Sequence, residues 1–204
     1  SESDNCGTSW IQPITYQSNP GSEPFCAKFS HVYFKGDNDL YIEIAGFDVE
    51  NTGSKDSCIK VEYTQQVIIL NCKAHGQPGG DGPTYANIFV KYSSHVTIED
   101  CNIYQGGDWA FGIEMEDSSN VISRGCYVHD LTSSGIRTGG GSNYLIEYNI
   151  ICEQRSEWNP NVHGSGIAIH SPNTTIRGNI VYNFGNTRPI RFYQDVMDAN
   201  GYYS

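Results

Sequence analysis

Short stretches in which apolar and polar residues alternate recur along most of the chain. The alternation has a period of two, which is typical of β-strands, and no segment of helical length places apolar residues at i, i+3, i+4 and i+7. One set of these stretches begins at isoleucines spaced 29, 25, 23, 31 and 23 residues apart: Ile59, Ile88, Ile113, Ile136, Ile167 and Ile190. The pattern predicts a repeated, strand-rich unit of about 25 residues.

Each repeat continues with a second alternating stretch and then with a short third one. The second stretches begin at Val67, Val96, Val121, Tyr144 and Thr174. A Cys or Asn follows each of them, and another apolar residue stands two positions further on. Three short strands per repeat predict a solenoid in which like strands stack in parallel, because each turn needs its neighbours to complete the core.

The predicted fold is all-β and forms a single domain, a parallel β-helix of about seven turns. Residues 1–36 are expected to form an N-terminal segment with a first partial turn, and residues 37–193 the β-helix itself. Residues 194–204 are expected to form a C-terminal segment that begins an unfinished turn. The early segments "YIEIAGFDVEN" and "PITYQSNPG" fit the same frame and supply the first of these turns.

These repeats resemble the right-handed parallel β-helix proteins of the pectin-lyase-like superfamily. The resemblance runs from about Pro13 to Tyr193 and is carried by "LYIEIAGFDVENTG", "SSHVTIEDCNIYQG", "GIRTGGGSNYLIEYNII" and "GIAIHSPNTTIRGNIVYN". It implies the right hand of the coil and a polysaccharide as partner, since the superfamily includes polysaccharide lyases and glycoside hydrolases. The catalytic motifs of polygalacturonases, alginate epimerases and pectate lyases are missing from this sequence.

Charge and composition narrow the range of partners. The chain holds 23 acidic and 12 basic residues and has a formal net charge of −11, which argues against a nucleic-acid partner. A local basic patch could still bind an acidic polymer. The sequence predicts no membrane span, because it lacks a run of about 18 apolar residues. The start, "SESDNCGTSW", shows no signal-peptide pattern, so a leader was either removed or never present.

The cysteines favour an oxidising compartment and hence a secreted or cell-surface protein. Seven are present, and one position of successive repeats is occupied by Cys72, Cys101, Cys126, Asn149 and Asn179. Because stacked strands lie about 4.8 Å apart, these side chains are expected to stand over one another inside the coil. The thiols act there either as small buried apolar groups or as partners in a disulfide between neighbouring turns. Cys6 and Cys26 flank the first partial turn and are the best candidates for a bridge.

The outward side chains of the first strands form two columns along the coil. The first column contains Lys60, Phe89, Glu114, Arg137, Ala168 and Arg191. The second column contains Glu62, Lys91, Glu116, Gly139, His170 and Tyr193. In the resembled enzymes this face is the usual polysaccharide cleft, and aromatic faces beside a polar groove suit sugar rings.

Long corners between strands are expected to bring further aromatic residues to the edge of this face. The residues expected to bind substrate are therefore His170, Arg191, Tyr193, Trp109, Trp158 and His163. The expected partner is a polysaccharide, bound or cleaved on the outer face of the first strands.

Glu114 and Glu116 point the same way along one strand, with Cβ atoms about 6.5–7 Å apart. This separation permits a general acid and a general base with a water between them, as in inverting glycoside hydrolysis, and it resembles the acidic pair of iota-carrageenases. The Glu-x-Glu pattern also resembles the calcium-holding pair of some β-helical alginate and glycosaminoglycan lyases. Under that resemblance Glu114 and Glu116 would hold Ca²⁺, and either Lys91 or Arg137 would be the base while the other binds substrate.

A charge ladder is the alternative interpretation of the same residues. Glu62, Lys91 and Glu116 alternate in sign from turn to turn, and Glu114 is followed by Arg137. Alternating charges keep an exposed parallel sheet soluble, and each pair contributes about 0.2–1 kcal/mol. The sequence leaves both interpretations open.

The ends of the coil raise a second functional hypothesis. No amphipathic capping helix is evident at either end, although solenoids normally carry caps because unpaired strand edges recruit other strands. Either the sequence is part of a longer enzyme, or the ends of neighbouring subunits meet. Head-to-tail self-assembly would make the protein a non-catalytic subunit of an extracellular filament or adhesin.

Overall fold

The computed structural model describes residues 14–17, 28–29, 32–36, 39–51, 53, 56–77, 86–107, 109–154, 164–184 and 188–193. Within these residues the chain forms 21 strands and no helix. The strands belong to three sheets of seven strands each, and consecutive strands of the chain pass from one sheet to the next. One turn of the solenoid therefore takes three strands.

The strands of each sheet run parallel to one another. Sheet 1 contains β3 (Val32–Lys35), β6 (Ile59–Glu62), β9 (Ala86–Lys91), β12 (Phe111–Glu116), β15 (Ile136–Gly139), β18 (Ser165–His170) and β21 (Arg188–Phe192). Sheet 2 contains β1 (Ile14–Gln17), β4 (Asp39–Ala45), β7 (Gln65–Leu70), β10 (Ser94–Glu99), β13 (Ser119–Arg124), β16 (Ser142–Glu147) and β19 (Thr174–Arg177). Sheet 3 contains β2 (Lys28–Phe29), β5 (Asp48–Glu50), β8 (Lys73–His75), β11 (Asn102–Tyr104), β14 (Tyr127–Leu131), β17 (Ile150–Gln154) and β20 (Ile180–Tyr182).

The predicted fold class, an all-β parallel solenoid in a single domain, is confirmed. Five turns, from β6 to β20, form its regular body, and β1–β5 and β21 extend the sheets at either end. The prediction of about seven turns counted these outer strands and so exceeds the regular body by two. The predicted boundaries after residues 36 and 193 stay a prediction, and residues 194–204 lie outside the described part of the chain. No helix of the described residues is long and apolar enough to cross a membrane.

The core is built from columns of inward side chains that repeat once per turn. In sheet 1 the column is formed by Ile59, Ile88, Ile113, Ile136 and Ile167, all in register and all fully buried. Sheet 2 adds the column Val67, Val96, Val121 and Tyr144. Burying one such aliphatic side chain contributes about 1.5–3 kcal/mol, so the period-two pattern of the sequence fixes which face of each strand is buried.

The Cys and Asn positions stack inside the coil as the sequence predicts. Cys72, Cys101 and Cys126 are buried free thiols, and so are the other described cysteines, Cys58 and Cys152. The interpretation as small buried groups is therefore correct for the column Cys72, Cys101 and Cys126, and no disulfide links neighbouring turns among the five described cysteines. The proposed bridge between Cys6 and Cys26 lies outside the described residues.

An amide ladder continues this column. Asn149 accepts a hydrogen bond from the Cys126 backbone N–H at 3.0 Å. Its amide nitrogen donates to the Ser123 carbonyl at 3.0 Å and to Asn179 Oδ1 at 3.0 Å. The ladder predicted for the two asparagines is thus present, and it satisfies polar groups that would otherwise be buried without partners.

At the last described strand the core-facing side chains are exposed. Ile190 and Phe192 of β21 stand in register with Ile167 and Ile169 of β18, which are buried. The two β21 side chains nevertheless expose 39% and 73% of their surface. Apolar core positions are therefore open at this edge of sheet 1.

Candidate functional site

The register of sheet 1 confirms both outward columns predicted from the sequence. Glu114 on β12 lies opposite Arg137 on β15, and Glu116 lies between Lys91 on β9 and Gly139 on β15. Side chains that are 23 to 25 residues apart in sequence thus become direct neighbours across adjacent strands.

Glu114 has no exposed surface, although its side chain belongs to the outer face of sheet 1. Its Oε1 accepts a hydrogen bond from Arg137, and its Oε2 has no hydrogen-bond partner among the described residues. Burial raises the pKa of Glu114 to about 7, although the attraction of Arg137 and Lys91 lowers it and the nearby Glu116 raises it further. The alternating pattern does not predict this burial, since it places both columns on the face expected to meet solvent.

Glu116 forms the second ion pair of the strand, with its Oε2 at 3.1 Å from Lys91 Nζ. Burial lowers the pKa of Lys91, but the hydrogen bond and the charge of Glu116 outweigh it, so that the pKa is raised overall. A lysine with a raised pKa stays protonated at neutral pH and is poorly suited to act as a general base.

Each carboxylate of the Glu-x-Glu pair therefore faces a cation from an adjacent turn, as in the charge-ladder interpretation. Calcium binding needs about six to eight oxygen ligands. The described residues contain no group of three or more metal-ligating side chains. Lys91 and Arg137 also supply positive charge next to Glu116 and Glu114, so the residues present do not fit Ca²⁺.

An open groove of about 970 Å³ runs along the edge of sheet 1 at which β12, β15 and β18 end. Its walls include Glu116, Asp117, Arg137 and His170, and its middle turn contributes three consecutive glycines at 139–141. A Cβ at Gly139 would find room, because its nearest neighbours would be Glu116 Cγ at 3.6 Å and Arg137 Nη2 at 3.8 Å. The missing side chain at residue 139 therefore opens the groove without relieving a clash.

Aromatic and cationic side chains close the end of the groove nearer the C-terminus. The rings of His170 and Tyr193 stack with their centroids 3.7 Å apart and their planes at 15°. The guanidinium carbon of Arg191 lies 4.1 Å from the centroid of the Tyr193 ring. Three residues that the sequence predicted to bind substrate are thus brought together.

A corner of two residues joins each of four strands of sheet 1, β6, β9, β12 and β15, to the next strand of sheet 2. In four successive turns its first residue has a positive φ: Tyr63 (54°), Tyr92 (48°), Asp117 (46°) and Gly140 (58°). We call these four residues the corner column. Tyr63, Tyr92 and Asp117 line a second groove, of about 610 Å³, which shares Asp117 and Gly141 with the first.

The two corner tyrosines are not among the predicted site residues, because the residues at the corners predict only turns. The signal was available, since Tyr occupies in "VEYTQQ" and "VKYSSH" the position that Asp117 occupies in "MEDSSN". Bulky residues rarely adopt a positive φ, so a repeated Tyr at this position is informative.

Of the remaining predicted substrate residues, Trp109 is the one that the structure describes, and it does not line the groove. Trp109 is exposed and precedes the start of β12, whereas the groove lies where β12 ends. Trp158 and His163 lie outside the described residues. Their predicted roles stay predictions.

Sheet 1 is basic although the protein is acidic. Its strands carry six cationic residues and three carboxylates: Lys35, Lys60, Lys91, Arg137, Arg188, Arg191, Glu62, Glu114 and Glu116. This is a surplus of three positive charges in a chain whose formal net charge is −11. Half of the 12 basic residues of the chain thus stand on one of three sheets. The strands of this sheet thus carry a positive surplus, which favours an anionic partner over a cationic one, although Asp117 adds one carboxylate at the edge that both grooves share.

Comparison with protein-family models agrees with the architecture. A family model described as a right-handed β-helix region matches residues 30–193. Among solved structures, the chain is similar to full-length tailspike protein 2 from the Escherichia coli O157:H7 bacteriophage CAB120, with 9% sequence identity and a TM-score of 0.37. The match covers 90% of this chain and 37% of the tailspike chain, so the chain spans little more than a third of that protein. No curated protein matches the sequence.

Proposed function

We propose, on the premise that the chain belongs to the right-handed β-helix family, that it binds an acidic polysaccharide along the outer edge of sheet 1. The observation that carries the proposal is the groove of about 970 Å³, which passes over the glycines at 139–141 and ends at the stacked rings of His170 and Tyr193. A side-chain-free floor beside aromatic rings suits the faces of sugar rings.

The charge of the face supports an acidic polymer over a neutral one. Arg137 lines the groove and Arg191 lies against Tyr193 at its end. Carboxylate or sulfate groups of a polysaccharide could each accept hydrogen bonds from these guanidinium groups. Because Glu114 is largely protonated below pH 7, the positive surplus of the face increases on acidification.

Cleavage of the bound polysaccharide is a second candidate function. A carboxyl group whose pKa lies near 7 can both give and take a proton at neutral pH, and Glu114 is such a group beside the groove. Its burial requires Arg137, which covers one oxygen, to move before a substrate can reach it. Glu116 would be the partner carboxylate, while Lys91, with its raised pKa, would serve to hold substrate.

Two further expectations belong to the proposal. A protein that binds an extracellular acidic polysaccharide would be secreted or held at the cell surface. Head-to-tail association is favoured by the exposed Ile190 and Phe192, whose burial against another chain would remove apolar surface from water.

The test is binding to immobilised polysaccharides by the wild type, Gly139→Leu and the matched control Gly139→Ala. We expect the wild type to bind at least one of polygalacturonate, alginate and chondroitin sulfate, more tightly than the neutral dextran, and to be released by salt. Leucine fills the groove, so Gly139→Leu should bind at least tenfold more weakly, whereas Gly139→Ala should bind normally. No preference for acidic polymers, or full binding by Gly139→Leu, would refute the proposal.

Cleavage is tested on the same polysaccharides. Release of new reducing ends or of unsaturated products by the wild type, and its loss in Glu114→Gln and Glu116→Gln, would establish a reaction. If every polymer survives intact, with and without added calcium, the protein binds polysaccharide without cleaving it.

A further inference from the structure

We propose that the Tyr63–Tyr92 pair is a second contact site for the polysaccharide, one that extends the groove of sheet 1 towards the N-terminal turns. The inference rests on the proposed function. It assigns the two corner tyrosines to the binding of sugar rings that carry negative charge.

The two tyrosines form an exposed stack. Their ring centroids are 4.9 Å apart and their planes differ by 26°, while each residue exposes 45% of its surface. This spacing matches the distance between neighbouring strands of a sheet, about 4.8 Å, so the stack follows the axis of the solenoid. Rings that stay exposed while stacked offer their remaining surface to a ligand.

A lysine ammonium lies against each ring of the stack. Lys35 Nζ is 5.4 Å from the centroid of Tyr63, and Lys91 Nζ is 4.9 Å from the centroid of Tyr92. Aromatic surface with a cation beside it matches an acidic sugar, which presents an apolar ring face and an anionic substituent together.

The stack ends where the groove of sheet 1 begins. After Tyr92 the corner column continues with Asp117 and Gly140, neither of which carries a ring. A sugar ring above Asp117 would therefore continue the stack of tyrosines. Both grooves include Asp117 and Gly141, so a chain leaving the tyrosines enters the first groove directly.

Aromatic rings thus border the glycines of the groove on both sides along the solenoid axis. His170 lies one turn beyond Gly139, and Tyr92 lies two turns before Gly140. Three turns separate the turn of Tyr92 from that of His170, which is about 14 Å at the spacing of neighbouring strands. A polysaccharide that contacts both stacks would have to follow the axis over the glycines.

The backbone of the corner is held by hydroxyl groups, so the rings do not have to hold it. The Thr64 backbone N–H donates to Ser93 Oγ at 3.2 Å, and the Ser93 N–H donates to Ser118 Oγ at 3.1 Å. The Ser118 N–H in turn donates to the hydroxyl of Tyr144 at 3.0 Å. The side chain of Tyr63 or Tyr92 can therefore be exchanged without removing a hydrogen bond of this ladder.

Because Tyr63 and Tyr92 have a positive φ, substitutions by Asn can show whether the tyrosines are needed for folding or only for binding. Asn and Asp tolerate this conformation better than Tyr does, and Asp117 occupies it in the next turn. Replacing Tyr63 or Tyr92 by Asn should therefore leave the melting temperature unchanged or raise it. Tyr148 offers a matched control, since it is exposed with a φ of 54° in the corner between β16 and β17 and lines neither groove.

The experiment measures binding of the best acidic polysaccharide, together with the melting temperature, for the wild type, Tyr63→Asn, Tyr92→Asn, the double variant and Tyr148→Asn. We expect each single variant at the groove to bind at least fivefold more weakly and the double variant at least twentyfold more weakly. Melting temperatures should not fall, and Tyr148→Asn should bind normally.

Three outcomes would overturn the inference, and they separate it from the proposed function. If the wild type binds and Gly139→Leu does not, but both groove tyrosine variants bind normally, the tyrosines are not a contact site and the proposed function stands. If weaker binding comes with a fall in melting temperature, or if Tyr148→Asn weakens binding equally, the tyrosines act through the fold. If the wild type binds no acidic polysaccharide, the proposed function itself fails and the inference with it.

Discussion

Arg137 of β15 stands directly opposite Glu114 of β12 and donates a hydrogen bond to a carboxylate that has no exposed surface. The pair joins two neighbouring turns on the outer face of sheet 1, where an ion pair would ordinarily be exposed and weak. Because Glu114 is buried, the cost of removing its charge from water has to be included. Removing a charge from water is costly, and the guanidinium offsets that cost only in part, since the pKa of Glu114 is still raised to about 7.

We predict that this carboxyl group makes the protein less stable as the pH rises from about 4.5 to about 7. Glu114 binds its proton more tightly in the folded state, where its pKa is about 7, than in the unfolded chain, where its pKa is 4.5. Over this window the folded state therefore holds more protons, and the free energy of unfolding falls as they are released. Relative to wild type, Glu114→Gln should be more stable at pH 8 than at pH 4.5 by an amount on the order of 3 kcal/mol. Urea unfolding across this range measures the difference.

Glu114→Gln is best compared with Glu116→Gln at each pH. Glu116 has the same chemistry and lies on the same strand, but it is partly exposed and paired with Lys91. The Glu114 variant should change the slope of unfolding free energy against pH in this window more than the Glu116 variant, which leaves the buried carboxyl group in place. Parallel curves for wild type and Glu114→Gln would mean that the buried carboxyl group does not titrate there.

A second prediction concerns Arg137. Removing the guanidinium by Arg137→Gln leaves Glu114 buried without its cation, which is more costly when the carboxyl group is ionised. The variant should lose about 3 kcal/mol of unfolding free energy at pH 8, within the range observed when one partner of a buried pair is removed. At pH 5, where Glu114 is protonated, the loss should be clearly smaller. An equal loss at both pH values would show that Arg137 stabilises the protein through packing alone. Phe111 would be one packing partner, since its ring centroid lies 5.2 Å from the guanidinium carbon of Arg137.

The register that creates this pair could be predicted from the sequence, whereas its burial could not. Each strand alternates with period two and each turn adds 23 to 31 residues, so Glu114 and Arg137 had to become neighbours. Whether their column is exposed depends on which side chains pack over the outer face, and alternation does not encode that. The face that carries the groove could likewise be predicted, with Gly139 in its second outward column, whereas the opening at the corner could not, because Gly140 and Gly141 appear in the sequence only as a turn signal.

The cysteines provide a third prediction. Burial raises the pKa of Cys58 to about 12, and the other four described cysteines are also buried. Because burial keeps the reagent away from the sulfur atoms, we expect all five to resist alkylation by iodoacetamide in the native protein at pH 8 and to react fully in urea. This includes Cys72, whose pKa is lowered by its hydrogen bond with Cys101. Mass spectrometry of the digested protein would locate the labelled residues. If Cys101 or Cys126 reacts as fast in the native protein as in urea, the interior column is accessible to the reagent.

The last prediction concerns Gly139 and Gly141 of the groove, which are glycines for different structural reasons. Gly141 has a φ of +63°, and a Cβ there would collide with the Ser118 carbonyl oxygen and the Tyr144 hydroxyl. Gly141→Ala should therefore cost about 2 kcal/mol or more of unfolding free energy, through backbone strain and overpacking at the corner. Gly139→Ala should instead be neutral or stabilise by about 0.5 kcal/mol, since residue 139 lies in a strand with room for a Cβ. Urea unfolding of both variants tests the difference. Equal destabilisation would mean that residue 139 is glycine for steric reasons, and the open floor would then be a by-product of the fold.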